Sequence, residues 1–170
     1  MKNIELKLKL NDFARVKRSA RAAGVKEISV LYQTDTYFNV ASGRLKLREI
    51  NGKVFELINY FRSDKKSSKL SSYEIFNLNK DQAMLFKKAL SRILGIRVTV
   101  KKKRNLWLHE HTRIHFDQVS GLGKYLELET VLWQSNSAAQ KEHKKVIKML
   151  GLDKYKKIAV SYNDLLLGKK

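Results

Sequence analysis

Two glutamates with one residue between them, Glu127 and Glu129, raise the first chemical question of this sequence. They end the segment RIHFDQVSGLGKYLELE, where charged and apolar residues alternate as they do on a strand with one buried face. Both carboxylates then project from the same side of the strand and repel each other. Carboxylate oxygens are ligands that hard cations such as Mg²⁺ prefer. The spacing therefore predicts a positive charge or a bound cation in front of this strand.

Basic residues follow the same alternation on other predicted strands. Lys7 shares a face with Glu5, Arg48 shares one with Arg44 and Lys46, and Arg113 shares one with His115 and Asp117. The opposite faces are apolar, so predicted helices could pack there while the charged faces converge. Converging cations repel strongly in a partly enclosed space and need a polyanion. The pattern of several strands predicts a metal–phosphate site. For any single strand, an ordinary sheet with one buried and one solvent-exposed face explains the alternation equally well.

The overall charge supports an anionic partner. The 170 residues include 36 Lys and Arg against 16 Asp and Glu, a formal net charge of +20 that is spread along the chain. Such a charge concentrates anions near a folded domain, and nucleic acid, anionic lipid and small polyphosphates all qualify. A solvated, lysine-rich surface is the plainer explanation for many of the lysines. Nonspecific binding to nucleic acid is expected at this charge without establishing a role.

Other features of the composition exclude whole classes of protein. The chain has no cysteine, which rules out a disulfide framework, a thiol nucleophile and a Cys-based zinc site. It has no apolar run of about 18 residues, the length that a membrane-spanning helix needs. The N-terminus MKNIELKLKL alternates like a strand and lacks a secretory core. We therefore expect a cytoplasmic protein with no membrane segment.

The sequence predicts the strands and helices that position these residues, from alternating apolar residues and from helix-capping signals. Strands are predicted at NIELKLKL, EISVLYQTDTYFNV, GRLKLREI, KVFELINYF, SYEIFNL, IRVTVKKKRNLWL, HTRIHFDQV and KYLELETVLW. Helices are predicted from Asp12 to about Ala23, from about Lys80 to Leu94, from Ser137 to about Leu150, and at SYNDLLLG. The segment RSDKKSSKLSS reads as a loop. The sequence predicts one α+β domain over residues 1–170, a closed antiparallel eight-stranded β-barrel with helices packed outside.

Six motifs in order resemble the CYTH superfamily, the triphosphate tunnel metalloenzymes that include class IV adenylate cyclases and thiamine triphosphatases. NIELK resembles the strand motif E-x-E-x-K, and KKKRNLW resembles V-x-K-x-R. RIHFDQVSGLGKYLELE is similar to R-I-H-x-D-x-V-x-G-L-G-x-x-x-E-x-E. QTDTYF, GRLKLRE and the terminal SYNDLLL also resemble family segments, so the likeness runs from end to end.

The resemblance implies a tunnel of antiparallel strands that binds a triphosphate together with Mg²⁺ or Mn²⁺. The implied metal ligands are Glu5, Glu127 and Glu129. The implied phosphate-binding residues are Lys7, Lys46, Arg48, Arg62, Lys102, Arg104 and Arg113, and the residues implied in catalysis are Lys7, Arg113 and Asp117. Alternation turns Lys101 and Lys103 to solvent. His115 is expected to make a structural hydrogen bond, and Tyr162 either to close one end of the tunnel or to cap the core.

One position departs from the family pattern. Asn3 stands where the first glutamate of E-x-E-x-K is expected, which weakens one of two metal positions. The resemblance favours a class IV adenylate cyclase-like enzyme that converts ATP into cyclic AMP and pyrophosphate. The alternatives are an inorganic, thiamine or nucleoside triphosphatase, or a binder of polyphosphate, nucleotide or nucleic acid without catalysis. The oligomeric state is not readable from the sequence, with a homodimer as one option.

Overall fold

The fold is described from a computed structural model. It describes the backbone of residues 2–62 and 69–168, and the side chains of residues 3–60 and 73–168. The candidate phosphate-binding residue Arg62 therefore has a described backbone, whereas its side chain lies outside the described residues. The central part of the segment predicted as a loop, residues 63–68, also lies outside them.

Eight strands and four helices make up the described chain. The strands are β1 Lys2–Leu10, β2 Lys26–Phe38, β3 Arg44–Ile50, β4 Val54–Arg62, β5 Lys69–Leu78, β6 Ile96–His109, β7 Thr112–Val119 and β8 Gly123–Val131. The helices are α1 Ala14–Ala22, α2 Lys80–Leu94, α3 Asn136–Met149 and α4 Tyr162–Leu167. The predicted α+β class with eight strands is confirmed. β5 begins within the predicted loop, because residues 69–72 pair with β1 and β4.

All the strand pairs are antiparallel. The order of neighbours is β1-β5-β4-β3-β2-β6-β7-β8, and β8 pairs in turn with β1, so the ring of pairings is complete. Since successive residues of a strand point to opposite faces, this arrangement gives each strand an inward and an outward set of side chains.

Local signals explain where several elements begin and end. Asn51 and Gly52 both have positive φ angles, 52° and 65°, in the β3–β4 hairpin, as expected for an Asn-Gly turn. The side chains of Asn79 and Gln82 form the predicted reciprocal capping box at the start of α2. α3 begins at Asn136, one residue before the predicted Ser137, because the hydroxyl of Ser135 accepts the capping hydrogen bond from the Ala138 backbone N–H.

The largest apolar core lies outside the ring of strands. Leu8, Leu126 and Leu128 point outward and pack with Val16 of α1 and Val146 of α3, all of them buried. Full burial of one such leucine contributes about 1.5–3 kcal/mol relative to exposure. A second cluster lies beneath α2. With the apolar faces covered by helices on the outside, the charged faces of the same strands are left to face the interior.

α4 is anchored beside the interior. Ser161 and Asp164 form a capping box at its start, and Arg44 Nη2 donates to Asp164 Oδ2 at 2.8 Å. The Tyr162 ring packs edge-on against Tyr125 at 5.2 Å between ring centroids, inside a buried cluster with Tyr37. Tyr162 also lines the interior cavity, so this residue belongs both to a core cluster and to the cavity wall.

Candidate functional site

The interior of the strand ring contains a charged cavity with a volume of about 150 Å³. All eight strands contribute side chains to its wall, joined by Ser161 and Tyr162. Six cations reach it: Lys7, Lys46, Arg48, Lys102, Arg104 and Arg113. Four carboxylates also line it: Glu5, Asp35, Glu127 and Glu129. The wall carries a formal excess of two positive charges, which favours an anionic occupant.

The alternation of β6 directs its charges as the sequence predicts. Lys102 and Arg104 are buried and face the cavity, whereas Lys101 and Lys103 are exposed. The apolar residue Val100 continues the inward set and packs in the cluster around Tyr162. Four consecutive basic residues therefore divide into two interior and two exterior positions, because a strand turns its side chains alternately to each side.

Asp35 organises three of the cations. Its carboxylate, 1% exposed, accepts hydrogen bonds from Lys46 Nζ at 3.1 Å, Arg48 Nε at 2.8 Å and Lys102 Nζ at 3.1 Å. Burial by itself would raise the pKa of Asp35, but Arg48, Lys102 and Lys46 hold it well below its ordinary value. Asp35 is therefore ionised at neutral pH and fixes three cationic heads at one point of the wall.

The pKa of Lys46 reflects its burial and the repulsion between neighbouring cations. Burial, followed by the charge of Arg48, lowers the pKa of the Lys46 ammonium to about 7, although Asp35 opposes this shift. Lys46 therefore carries its proton only about half of the time at neutral pH. A further negative charge in the cavity would raise this pKa and make Lys46 a full cation.

Asp117 holds Arg104 in place from behind the cavity wall. Arg104 Nε and Nη2 donate to its two carboxylate oxygens at 2.7 and 2.6 Å, the planar two-bond geometry that arginine makes with carboxylates. The Tyr162 hydroxyl donates to the same carboxylate at 3.0 Å. Asp117 is completely buried and does not line the cavity. Its position fits a residue that orients a cation.

Glu127 and Glu129 are paired with cations of β1, β6 and β7. Glu127 lies 3.1 Å from Lys7 Nζ and accepts from Arg104 Nη2 at 2.7 Å. Glu129 Oε2 lies 3.1 Å from Arg113 Nη2. Burial would raise the pKa of both carboxyl groups, but their cationic neighbours lower it below the ordinary value. Both glutamates are therefore ionised at neutral pH.

One group of potential metal ligands combines these glutamates with a histidine. Ligand atoms of His115, Glu127 and Glu129 lie within 4.8 Å of one another. Glu5, predicted as the third ligand, faces Glu129 in register and lines the cavity, but it is not part of this group. Carboxylate oxygens beside a buried imidazole nitrogen fit a divalent cation.

The sequence predicts a structural hydrogen bond for His115, and in the structure its Nδ1 makes none with the described residues. This nitrogen is buried without a hydrogen-bond partner among the described residues, and it lies 3.6 Å from Glu129 Oε1. Burial, together with the charge of Arg104, lowers the pKa of His115 to about 4. The imidazole is therefore neutral at physiological pH.

The remaining residues of the wall are Asn3, three tyrosines and two isoleucines: Tyr37, Tyr60, Tyr73, Ile58 and Ile75. Asn3 is buried, and its side-chain amide donates to the Tyr73 hydroxyl at 3.3 Å. Tyr37 and Tyr60 lie near Lys46, whose Nζ is 5.4 and 5.5 Å from their ring centroids. The amide of Asn3 thus supplies a neutral polar group at the position where the family pattern has a carboxylate.

Sequence reasoning missed Asp35 and these tyrosines as parts of the cavity. Asp35 and Tyr37 have the same parity in QTDTYF, so both point to the face that Gln33 shares. An aspartate within a predicted strand was the available signal, because a carboxylate that becomes buried needs cationic or hydrogen-bonding partners. The partners of Asp35 come from β3 and β6, so they could not be chosen from the sequence of β2 alone.

The CYTH domain family matches residues 1–162 of this chain. The chain belongs to the CYTH domain family. A protein of Methanocaldococcus jannaschii named as a putative adenylate cyclase is 28% identical over 177 residues, which cover 97% of this chain and 98% of that protein.

Solved structures share the fold of this CYTH domain. A protein of Pyrococcus horikoshii superposes with a TM-score of 0.81 at 22% identity, over 96% of this chain and 98% of that one. A Hippeastrum protein, described as a putative adenylyl cyclase with a dominant triphosphatase activity, superposes with a TM-score of 0.69 at 12% identity, over 99% and 96%. Among the described residues of this chain, no helix has the length and apolar character needed to cross a membrane.

Proposed function

We propose that this CYTH protein is a metal-dependent enzyme that binds a triphosphate in the interior of its strand ring and acts on it. The observation that carries the proposal is the convergence of six cations and the Glu127–Glu129 pair on one cavity. A triphosphate presents a row of anionic oxygens, and its Mg²⁺ or Mn²⁺ complex presents a cation. The two parts match the basic wall and the acidic pair of the cavity.

The ion pairs of the cavity indicate how such a substrate would be bound. The contacts of Lys46, Arg48 and Lys102 with Asp35 keep three donors oriented towards one region. Phosphate oxygens can take over donors from these cations at little cost in reorganisation, because the side chains are already held in place. Among the cavity cations, Arg48, Arg104 and Arg113 carry the planar guanidinium group that can make two-bond contacts to a phosphate.

The metal would be held by Glu127 and Glu129, with Glu5 facing Glu129 on the adjacent strand. A bound divalent cation would supply charge neutralisation and polarisation of phosphoryl oxygens. It would also take over the role of Lys7 and Arg113, which neutralise the two glutamates by 3.1 Å contacts. These two cations would then be available to the phosphate chain.

The other residues act on the reaction by position and charge. Phosphoryl-type transfer asks a protein mainly for alignment and for stabilisation of negative charge on equatorial oxygens. Lys7 and Arg113 lie next to the acidic pair and are placed to stabilise the charge that develops nearest the metal. Asp117 keeps Arg104 in one orientation by two hydrogen bonds.

We propose a class IV adenylate cyclase-like reaction, in which the ribose 3′-hydroxyl of ATP attacks the α-phosphorus and pyrophosphate leaves. The sequence resemblance and the name of the Methanocaldococcus jannaschii relative support this choice. Hydrolysis of inorganic, thiamine or nucleoside triphosphate is the second candidate, supported by the activity described for the Hippeastrum protein. Asn3 in place of a glutamate favours a third outcome, triphosphate binding without turnover.

A panel of substrates tests the proposal. The protein is incubated with ATP, tripolyphosphate or thiamine triphosphate, each with Mg²⁺ and with Mn²⁺, and cyclic AMP, pyrophosphate and phosphate are quantified. Metal-dependent turnover is expected, with a loss of at least about 100-fold in Glu127→Gln and Glu129→Gln. Glu110→Gln is the matched control, because this glutamate is exposed in the β6–β7 hairpin. Absence of turnover with every substrate and metal would contradict the proposed enzyme.

A further inference from the structure

His115 occupies a position that packing alone does not explain. It lies on β7 in register with Glu127 of β8, two residues along the strand from the pair of Arg113 and Glu129. Its side chain is buried, with 3% of its surface exposed. Nδ1 has no hydrogen-bond partner among the described residues. A buried polar atom left without a partner costs free energy, so an explanation by a missing ligand or water is required.

Glu129 does not satisfy this nitrogen. The distance from Nδ1 to Glu129 Oε1 is 3.6 Å, which is beyond the range of about 2.7–3.2 Å for an N–H···O hydrogen bond. Nδ1 is the ring nitrogen that lies towards Glu129, and a ring nitrogen of His115 lies within 4.8 Å of a carboxylate oxygen of each glutamate. A neutral imidazole offers a lone pair at that point rather than a positive charge.

The spacing of the three groups fits a single cation. Oxygen and nitrogen ligands of small divalent cations lie about 2.0–2.2 Å from the metal, so ligands on opposite sides of the ion are roughly 4.0–4.4 Å apart. The 4.8 Å limit of the trio is a few tenths of an ångström larger. Small side-chain rotations of Glu127 and Glu129 would therefore complete the coordination, whereas the backbone of the paired strands could stay in place.

We propose that His115 Nδ1 is a ligand of the divalent cation held by Glu127 and Glu129, and that this nitrogen makes the site prefer Mn²⁺ over Mg²⁺. The proposal rests on the proposed function for the use of a metal and adds the identity of one ligand and the class of cation. Mg²⁺ strongly favours oxygen ligands, whereas affinity for nitrogen-containing sites increases along the first transition series from Mn²⁺. A site formed by carboxylates alone would discriminate less between the two cations.

Metal binding is measured on the full chain without substrate. Titration with Mn²⁺, followed by electron paramagnetic resonance, gives the dissociation constant, and competition with Mg²⁺ gives the preference. Electron spin echo envelope modulation detects nitrogen directly bonded to Mn²⁺. The expected result for the unmodified protein is Mn²⁺ binding with nitrogen modulation. In His115→Asn, we expect loss of that modulation and about tenfold or more weaker Mn²⁺ binding, with Mg²⁺ binding changed by less than about threefold.

His111→Asn is the matched control. His111 also lies beside a carboxylate, with 3.2 Å between its Nδ1 and Glu142 Oε2, but it is outside the cavity and 45% exposed. This variant should keep both the nitrogen modulation and the Mn²⁺ affinity. Thermal melting of each variant shows whether it is folded. Nitrogen modulation in the unmodified protein tests the proposed ligand without any substitution.

The outcomes separate this inference from the proposed function. Absence of Mn²⁺ binding, Mn²⁺ binding without nitrogen modulation, or retention of the modulation in folded His115→Asn would each overturn the inference. The substrate panel judges the proposed function independently, because the glutamates alone could hold a cation in the presence of a triphosphate. Turnover with no role for His115 would leave the enzyme proposal in place and remove the nitrogen ligand.

Discussion

Asp35→Asn is the most informative perturbation of the cavity. The substitution keeps the size and shape of the side chain but removes the charge that three cations share. In the unmodified protein, Lys46, Arg48 and Lys102 all donate to this carboxylate within 2.8–3.1 Å. After the substitution, the three cationic heads would face one another across a neutral amide that can accept fewer hydrogen bonds.

The expected loss of stability follows from the burial of this group. Removing one partner of a buried ion pair costs about 3–5 kcal/mol, because the remaining charge stays desolvated. In a chain of this length, each kcal/mol shifts Tm by roughly 2–4 °C, which gives a decrease of roughly 6–20 °C. Lys46 offsets part of the cost by losing its proton, since its pKa is already about 7 in the presence of Asp35.

Differential scanning calorimetry with and without tripolyphosphate tests this reasoning. Tripolyphosphate should raise the Tm of Asp35→Asn by more than it raises that of the unmodified protein, because the ligand replaces the missing negative charge. Glu49→Gln is the matched control. Glu49 is also an acid paired with a lysine, Lys87 at 2.6 Å, but the pair is partly exposed and contributes no more than about 1 kcal/mol.

Two results would refute the organising role of Asp35. One is a Tm of Asp35→Asn within about 2 °C of the unmodified protein. The other is a tripolyphosphate shift no larger than that of Glu49→Gln, which would mean that the three cations do not direct their charge at the phosphate site.

Three further predictions concern Lys102 and Asn3 of the cavity wall and His143, which is buried outside the cavity. Lys102→Ala should weaken tripolyphosphate binding at least about tenfold by calorimetric titration, whereas Lys103→Ala, on the exposed side of the same strand, should change it less than about twofold; equal effects would contradict the inward face of β6. The pKa of buried His143 is lowered to about 4 in the folded protein, chiefly by burial. Its contribution to stability is therefore complete above its unfolded pKa of about 6.5 and is lost as the pH falls towards 4, at up to about 1.4 kcal/mol per pH unit. Urea unfolding between pH 7 and pH 4 should show a shallower loss in His143→Gln, and an unchanged slope would refute the assignment. Asn3→Glu should strengthen Mn²⁺ binding and raise turnover if the missing carboxylate limits the metal site, and unchanged values for both would show that it does not.

The charged faces of several strands could be recognised from residue types alone. The alternation of LKLRE places Lys46 and Arg48 together, and the alternation of YLELE does the same for Glu127 and Glu129. Short-range chemistry was equally readable, as in the capping box of Asn79 with Gln82 and the Asn-Gly turn after β3. These features depend on contacts between residues a few positions apart, and such contacts are determined by the local chain.

The hydrogen-bond and ion-pair partners inside the cavity could not be predicted from the sequence in the same way. Asp35 binds Lys102 across 67 positions of the chain, and the Tyr162 hydroxyl donates to Asp117 across 45. The period of a strand tells which face a residue is on, but not which strand lies beside it or at which register. Glu5, predicted as a metal ligand, lines the same cavity, but the group whose ligand atoms lie within 4.8 Å of one another contains His115 beside the two glutamates, which the sequence did not indicate.

The amino-acid sequence by itself determined that this protein has strands with one apolar and one charged face, and which charges share a face. The tertiary structure decided that the faces meet around one cavity, that carboxylates pair with its cations, and that Nδ1 of His115 lies near Glu129 with no hydrogen-bond partner among the described residues. The physical reason is that side-chain direction is a local property of the backbone. Charge pairing and desolvation depend instead on distances between strands that only the closed set of pairings establishes.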